Sequence, residues 1–136
     1  MNPISEEFAT FTTNQKMSVI NMLQIIAVSD VGLGNRDKEI IFLNSFIDIL
    51  GVPFDRCSAY FQSDGFKKIV IDLQSLSTKQ KEFLAYIAWE MIVCDGNANE
   101  PEVGLAINIF SQIGLSEENF VNSIEKNRAI LNLIKK

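Results

Sequence analysis

The chain has 136 residues, 47% of them hydrophobic and 21% charged, with a net charge of −5 and no histidine. That size fits one globular domain around a single core, and scattered lysines and arginines without a basic stripe argue against nucleic acid as a partner. The lack of histidine removes the Ser-His-Asp and Cys-His mechanisms and the commonest imidazole metal ligand.

Along the chain, residues 1–11 read as an N-terminal extension whose Glu6 and Glu7 do not suit a secretory signal, which places the protein in the cytoplasm. A helix follows from Thr12 or Thr13. Its apolar run from Val19 to Val28 is interrupted by Asn21 and Gln24 and closed by Asp30, well short of the ~20 residues needed to cross a bilayer, so no membrane insertion is expected. A loop over 30–39 leads to a second helix ending at Gly51, and Pro53 opens a third helical stretch containing Cys57, Tyr60 and Phe61. Phe66, Ile69, Val70 and Leu73 keep the helical period, although Lys68 to Leu73 is β-prone enough to make a short strand the rival reading.

Ser77 is a hydroxyl N-cap candidate for an amphipathic helix from about Thr78 to Cys94, with Phe83, Leu84, Ile87, Ala88 and Met91 on the apolar side and Lys79, Glu82, Tyr86 and Glu90 opposite. A loop over 95–102, a helix ending at Gly114 and a last helix from about Glu117 towards Leu133 complete the chain. Gly51 and Gly114 are the residue type that takes the left-handed conformation after a helix without a Cβ clash. Cys57 and Cys94, with no C-x-x-C spacing, read as buried apolar residues rather than disulfide or zinc ligands.

The two halves repeat one pattern. Thr12-Thr13-Asn14-Gln15-Lys16 returns as Ser77-Thr78-Lys79-Gln80-Lys81 at an offset of 65, which also pairs Gln24 with Trp89 and Asp30 with Asp95. Beyond the loops the offset is 63, pairing Glu39 with Glu102, Phe46 with Ile109 and Gly51 with Gly114. The expectation is an all-α, compact bundle of about seven helices in a single domain over 1–136, built from a duplicated helix-loop-helix unit with halves at about 12–61 and 77–124. Trp89 reads equally as core or as an interface aromatic.

The loops are where chemistry would sit. Asp95-Gly96-Asn97-Ala98-Asn99-Glu100-Pro101-Glu102 spaces oxygen-bearing side chains around a turn, as a hard divalent cation such as Ca²⁺ requires, though it is no EF-hand because Glu100 and Ala106 stand where that loop needs Gly and a bidentate Glu. The candidate ligands are Asp95, Asn97, Asn99 and Glu102. A structural reading serves the same residues: Gly96 closes one helix, Asn99 caps the next, and Glu102 completes a capping box.

The first loop keeps Asp30 and Glu39 but adds Arg36 and Lys38, which oppose a cation. Its Gly32-Leu33-Gly34 opens a weak dinucleotide-like string in which Asp37 would repel a pyrophosphate. The acidic pairs Glu6-Glu7, Glu100 with Glu102, and Glu117-Glu118 read as solvated helix-start residues rather than acid/base couples, so the chain is not expected to be an enzyme.

Taken together, Val93-Cys94-Asp95-Gly96, the acidic turn into Glu102 and the closing Ile113-Gly114-Leu115-Ser116-Glu117-Glu118-Asn119-Phe120 resemble the TerB-like family, small helical domains named after a component of bacterial tellurite-resistance systems. The likeness runs from about Thr12 to Ile124. It implies an all-α fold, an acidic surface that holds divalent cations, and a non-catalytic role as a protein-interaction module in stress-response assemblies. By position the family's acidic sites fall on Asp95 and Glu102, and on Asp30 and Glu39 in the first half. Asn97 stands where the family usually has a further acidic residue, and the first loop lacks the Asp-Gly pair. The alternative expectation is an adaptor domain whose acidic loops are only helix caps.

Overall fold

Two fifteen-residue helices begin with the same side-chain lock. In the computed structural model, which describes residues 3–28, 36–62, 65–93 and 100–135, with side chains for 6–28, 38, 40–62, 65–93 and 100–126, they are α2 (Thr13–Ala27) and α6 (Thr78–Ile92). Thr12 and Ser77 are the N-caps. Each hydroxyl accepts the backbone N–H three residues on, from Gln15 or Gln80, at 3.1 Å, and each glutamine Oε1 accepts the cap's own N–H at 2.8 Å. Both are complete capping boxes, which satisfy amide donors a helix start otherwise leaves open.

The remaining helices are α1 (Pro3–Phe8), α3 (Arg36–Leu50), α4 (Phe54–Phe61), α5 (Gly65–Gln74), α7 (Glu100–Gln112) and α8 (Glu117–Lys135), and there is no strand among the described residues. The β-prone stretch over 68–73 is helical. Ile69 and Leu73, one turn apart on α5, are both buried, and α5 packs on α2, so tertiary burial overrides local propensity. The Thr78 helix ends at Ile92 with Val93 as its C-cap, and Gly96, expected to close it, lies outside the described residues.

α2 and α6 pack against each other at the centre, and the other helices surround them. On α2 every residue from Met17 to Leu23 is buried, and on α6 every residue from Phe83 to Ala88, so neither has the polar face that periodicity suggests. Tyr86, expected among the outward residues, is only 7% exposed. A helix covered on all sides shows little amphipathic contrast.

The described helices number eight rather than about seven, and the added one lies in the stretch read as an extension. Phe8 and Phe11 are core residues, with ring centroids 4.9 Å apart, and Phe8 meets Phe46 of α3 at 5.7 Å and Phe83 of α6 at 5.5 Å. Aromatic contacts of this edge-on and tilted kind add to burial.

α1 also joins an exchange between the halves. Gln15 Nε2 donates to Ser75 Oγ at 3.0 Å, and Gln80 Nε2 donates to Thr10 Oγ1 at 2.9 Å. Those hydroxyls donate in turn to the carbonyls of Asp72 and Glu7, at 2.6 and 2.7 Å. Every residue in one chain of bonds lies 65 positions from its counterpart in the other. We expect Gln15→Ala and Gln80→Ala each to lower the unfolding free energy by about 1–2 kcal/mol, as read from urea denaturation. One silent and one costly substitution would show that the two locks are not equivalent.

The same numbering carries through the other elements. α2 and α6 start and stop 65 residues apart, and α4 and α8 start 63 apart. Gly51 (φ 71°) directly follows α3, and Gly114 (φ 102°) stands two residues past the end of α7. Gly51 N–H returns to Ile47 O at 3.0 Å, whereas after α7 Gly114 N–H reaches Ser111 O at 3.2 Å and Leu115 N–H reaches Phe110 O at 2.8 Å. One terminus is thus a single-bond left-handed cap and the other a Schellman motif, both needing a residue tolerant of positive φ.

Candidate functional site

Of the predicted cation ligands, Glu102 is the one whose side chain falls within the described residues. Asp95, Asn97 and Asn99 lie in 94–99 and Asp30 in 29–35, outside those residues, while Glu39 lies on α3 with its side chain likewise outside them. α7 starts at Glu100, so Pro101 sits in the first turn, where a missing N–H costs nothing, and Glu102 is the third helical residue.

Glu102 is 0% exposed, although Glu100 and Pro101 before it face water. This corrects its reading as a solvated helix-start residue. A carboxylate at this position gains from the positive end of the helix dipole, and its removal from water demands compensation inside the protein. Among the described residues no three acidic or cysteine side chains converge at metal-binding distance.

A second polar cluster joins three helices. Asp72 of α5 accepts through Oδ2 from Ser18 Oγ of α2 at 2.6 Å and from Tyr60 OH of α4 at 2.7 Å. Lys68 Nζ donates to Tyr60 O at 3.0 Å and stands 4.2 Å from the Tyr60 ring centroid. Burial, then the hydrogen bond to Asp72 and its charge, push the Tyr60 phenol up to about 12. Ser18 is fully buried, so the cluster ties helices together rather than offering its hydroxyl to a substrate. Cys57 beside it is buried and free, as expected, and desolvation raises its thiol pKa; Cys94 lies outside the described residues.

Two clefts open beside the central helices. One, of about 290 Å³, lies between α2 and α4 and is lined by Asn21, Gln24, Ile25, Val28, Ser58, Phe61 and Gln62. The other, of about 200 Å³, lies between α6, α7 and α8, where Trp89, Val103, Ile107, Phe120, Val121 and Ile124 form an apolar wall with Glu125 at its edge. Gln24 and Trp89 are 65 residues apart, and Ser58, Phe61 and Gln62 precede Val121, Ile124 and Glu125 by 63. These lining positions share the sequence offsets of the two halves, although α7 adds Val103 and Ile107 to the second cleft alone. Trp89 is partly buried against the core, one of its two expected roles, and lines this cleft.

No family model, curated protein or solved structure matches this chain.

Sequence reasoning passed over the clefts, although one signal was present. Asn21 and Gln24, three residues apart, place carboxamides on one side of the otherwise apolar run from Val19 to Val28. Read only as interruptions of a hydrophobic run, they mark the edge of the larger cleft.

Proposed function

We propose that this chain is a non-catalytic binding domain of the TerB-like kind, built from a duplicated helical unit, whose second loop holds a divalent cation and whose surface docks a protein partner in a stress-response assembly. The observation that carries the cation half is the complete burial of Glu102 at the end of the oxygen-rich loop, beside an exposed Glu100. A hard cation is a natural companion for an inward carboxylate, with Asp95, Asn97 and Asn99 as the further oxygen ligands. Asp30 and Glu39 are the weaker pair, since Arg36 and Lys38 share their loop. The duplicated unit draws support from the matched capping boxes, the matched terminal glycines and the reciprocal glutamine bonds.

The test is a calcium titration of the full chain followed by backbone NMR. Resonances from Asp95 to Glu102 should move saturably at or below millimolar metal, and Glu102→Gln should abolish the response. Resonances that stay put would end the cation reading. A second reading, an adaptor whose acidic loops serve only as caps, is favoured by the chain's use of side-chain boxes at Thr12 and Ser77. It predicts that Glu102→Gln shifts stability by a cap-sized amount, about 1 kcal/mol, equally with and without calcium.

A further inference from the structure

We infer that the cleft between α2 and α4 is the docking site for the protein partner, and that it takes a neutral stretch of polypeptide: one apolar side chain together with the peptide groups that flank it. The inference rests on the docking half of the function proposed above and gives it a place.

The lining selects this chemistry. Ile25, Val28 and Phe61 supply apolar walls, while Asn21, Gln24, Ser58 and Gln62 supply hydrogen-bonding groups, and among the described residues no ionisable side chain lines the cleft. A charged group entering the cleft would lose water and meet no counter-charge from these residues. A purely hydrocarbon ligand would strip water from three carboxamides and a hydroxyl and return nothing. A peptide unit offers both a donor and an acceptor beside an apolar side chain, and so meets both demands. At about 290 Å³ the space lies at the lower end for ligand pockets, enough for one side chain and its neighbouring amides rather than a large cofactor.

Asn21 gives the site an orientation. The residue is 4% exposed, and its Nδ2 donates to the Cys57 carbonyl at 3.1 Å. That bond fixes which way the amide faces, and Oδ1 is the atom left to accept from a peptide N–H in the cleft. Gln24 and Gln62 stand on the two helical walls, one on α2 and one just past α4.

The other half of the molecule shows that the fold does not demand these polar groups. At the corresponding positions Asn21 is replaced by Tyr86, Gln24 by Trp89, Ser58 by Val121 and Gln62 by Glu125, and a cleft still opens there, with α7 adding Val103 and Ile107 to its wall. The carboxamide set is therefore a property of one cleft and not of the architecture, as expected of residues that serve a ligand.

The experiment uses the full chain and two capped tripeptides, acetyl-Ala-Leu-Ala-amide and acetyl-Ala-Asp-Ala-amide, followed by NMR including side-chain amide signals. The leucine peptide should produce saturable shifts at Asn21, Gln24, Ser58 and Gln62, and the aspartate peptide should bind more weakly by about tenfold or more. Gln24→Trp, which installs the residue the second cleft already holds, should weaken leucine-peptide binding by a similar factor while the thermal midpoint stays near wild type. Shifts centred on Trp89 and Val121 instead would overturn this assignment and leave the docking reading standing. No saturable shift anywhere would remove both, while the calcium titration judges the cation half separately.

Discussion

Replacing Phe8 with alanine should lower the unfolding free energy by about 3–5 kcal/mol, as much as removing a phenylalanine from the middle of the core. Phe8 is 1% exposed, and its ring touches rings from α1's own turn, from α3 and from α6. The alanine would leave a void among rigid aromatics that cannot close over it. Urea denaturation measures the loss, with Phe66→Ala as the comparison, since Phe66 is 40% exposed and its truncation should cost well under 2 kcal/mol. A Phe8→Ala protein within about 1 kcal/mol of wild type would mean that α1 is not part of the fold in solution.

The second large effect belongs to Asp72. Asp72→Ala removes the acceptor of two hydroxyls, one of them on the fully buried Ser18, and should cost about 2–4 kcal/mol. Ser18→Ala and Tyr60→Phe remove one donor each and should cost less, with a double-mutant cycle reporting how far the pair acts together. The same cluster predicts behaviour in alkali. The Tyr60 phenol titrates near 12 in the native protein, against roughly 10 unfolded. A raised native value means that the stability it contributes is intact below the unfolded value and is lost as pH rises through the native one. Tyrosinate absorbance should therefore show Tyr60 ionising late, and Asp72→Asn, which removes the charge, should bring it earlier. A Tyr60 that titrates like a free phenol in the folded wild type would contradict the hydrogen bond.

Local signals in the sequence carried the helices a long way. Thr12, Ser77, Gly51 and Gly114 mark termini because capping and positive φ depend on a few adjacent residues, and those boundaries match the structure. The helix over 65–74 was the contested element, and its outcome turned on α5 having α2 to pack against. α1 is six residues long, too short to display a period, so its Phe8 gave no sign of being core. The sequence likeness starts at Thr12 and Ser77, yet just before it Thr10 and Ser75 make matching hydroxyl-to-carbonyl bonds, and Phe11 and Leu76 are both buried.

The site was less legible for the same reason that α1 was. Tyr86 and Glu102 sit at positions where local pattern points to water, and both are buried. Cleft residues come from helices apart in the chain, α2 and α4 around one cleft and α6, α7 and α8 around the other. Positions 18 and 83 correspond in the two halves, yet one closes against its neighbour with Ser18 on Asp72 and the other with Phe83 on Phe8. Only the packed structure shows that a hydroxyl and a phenyl ring do the same job.

The glutamine locks also set a timetable for making the protein. Gln15 waits for Ser75, 60 residues later, and Thr10 for Gln80, 70 residues later. At about 5–20 residues per second, a ribosome leaves the first of these groups exposed for roughly 3–14 s before its mate is even polymerised. During that interval the early helices have their local caps but lack the side that closes them, so the nascent segment presents greasy surface to chaperones until translation has passed the midpoint.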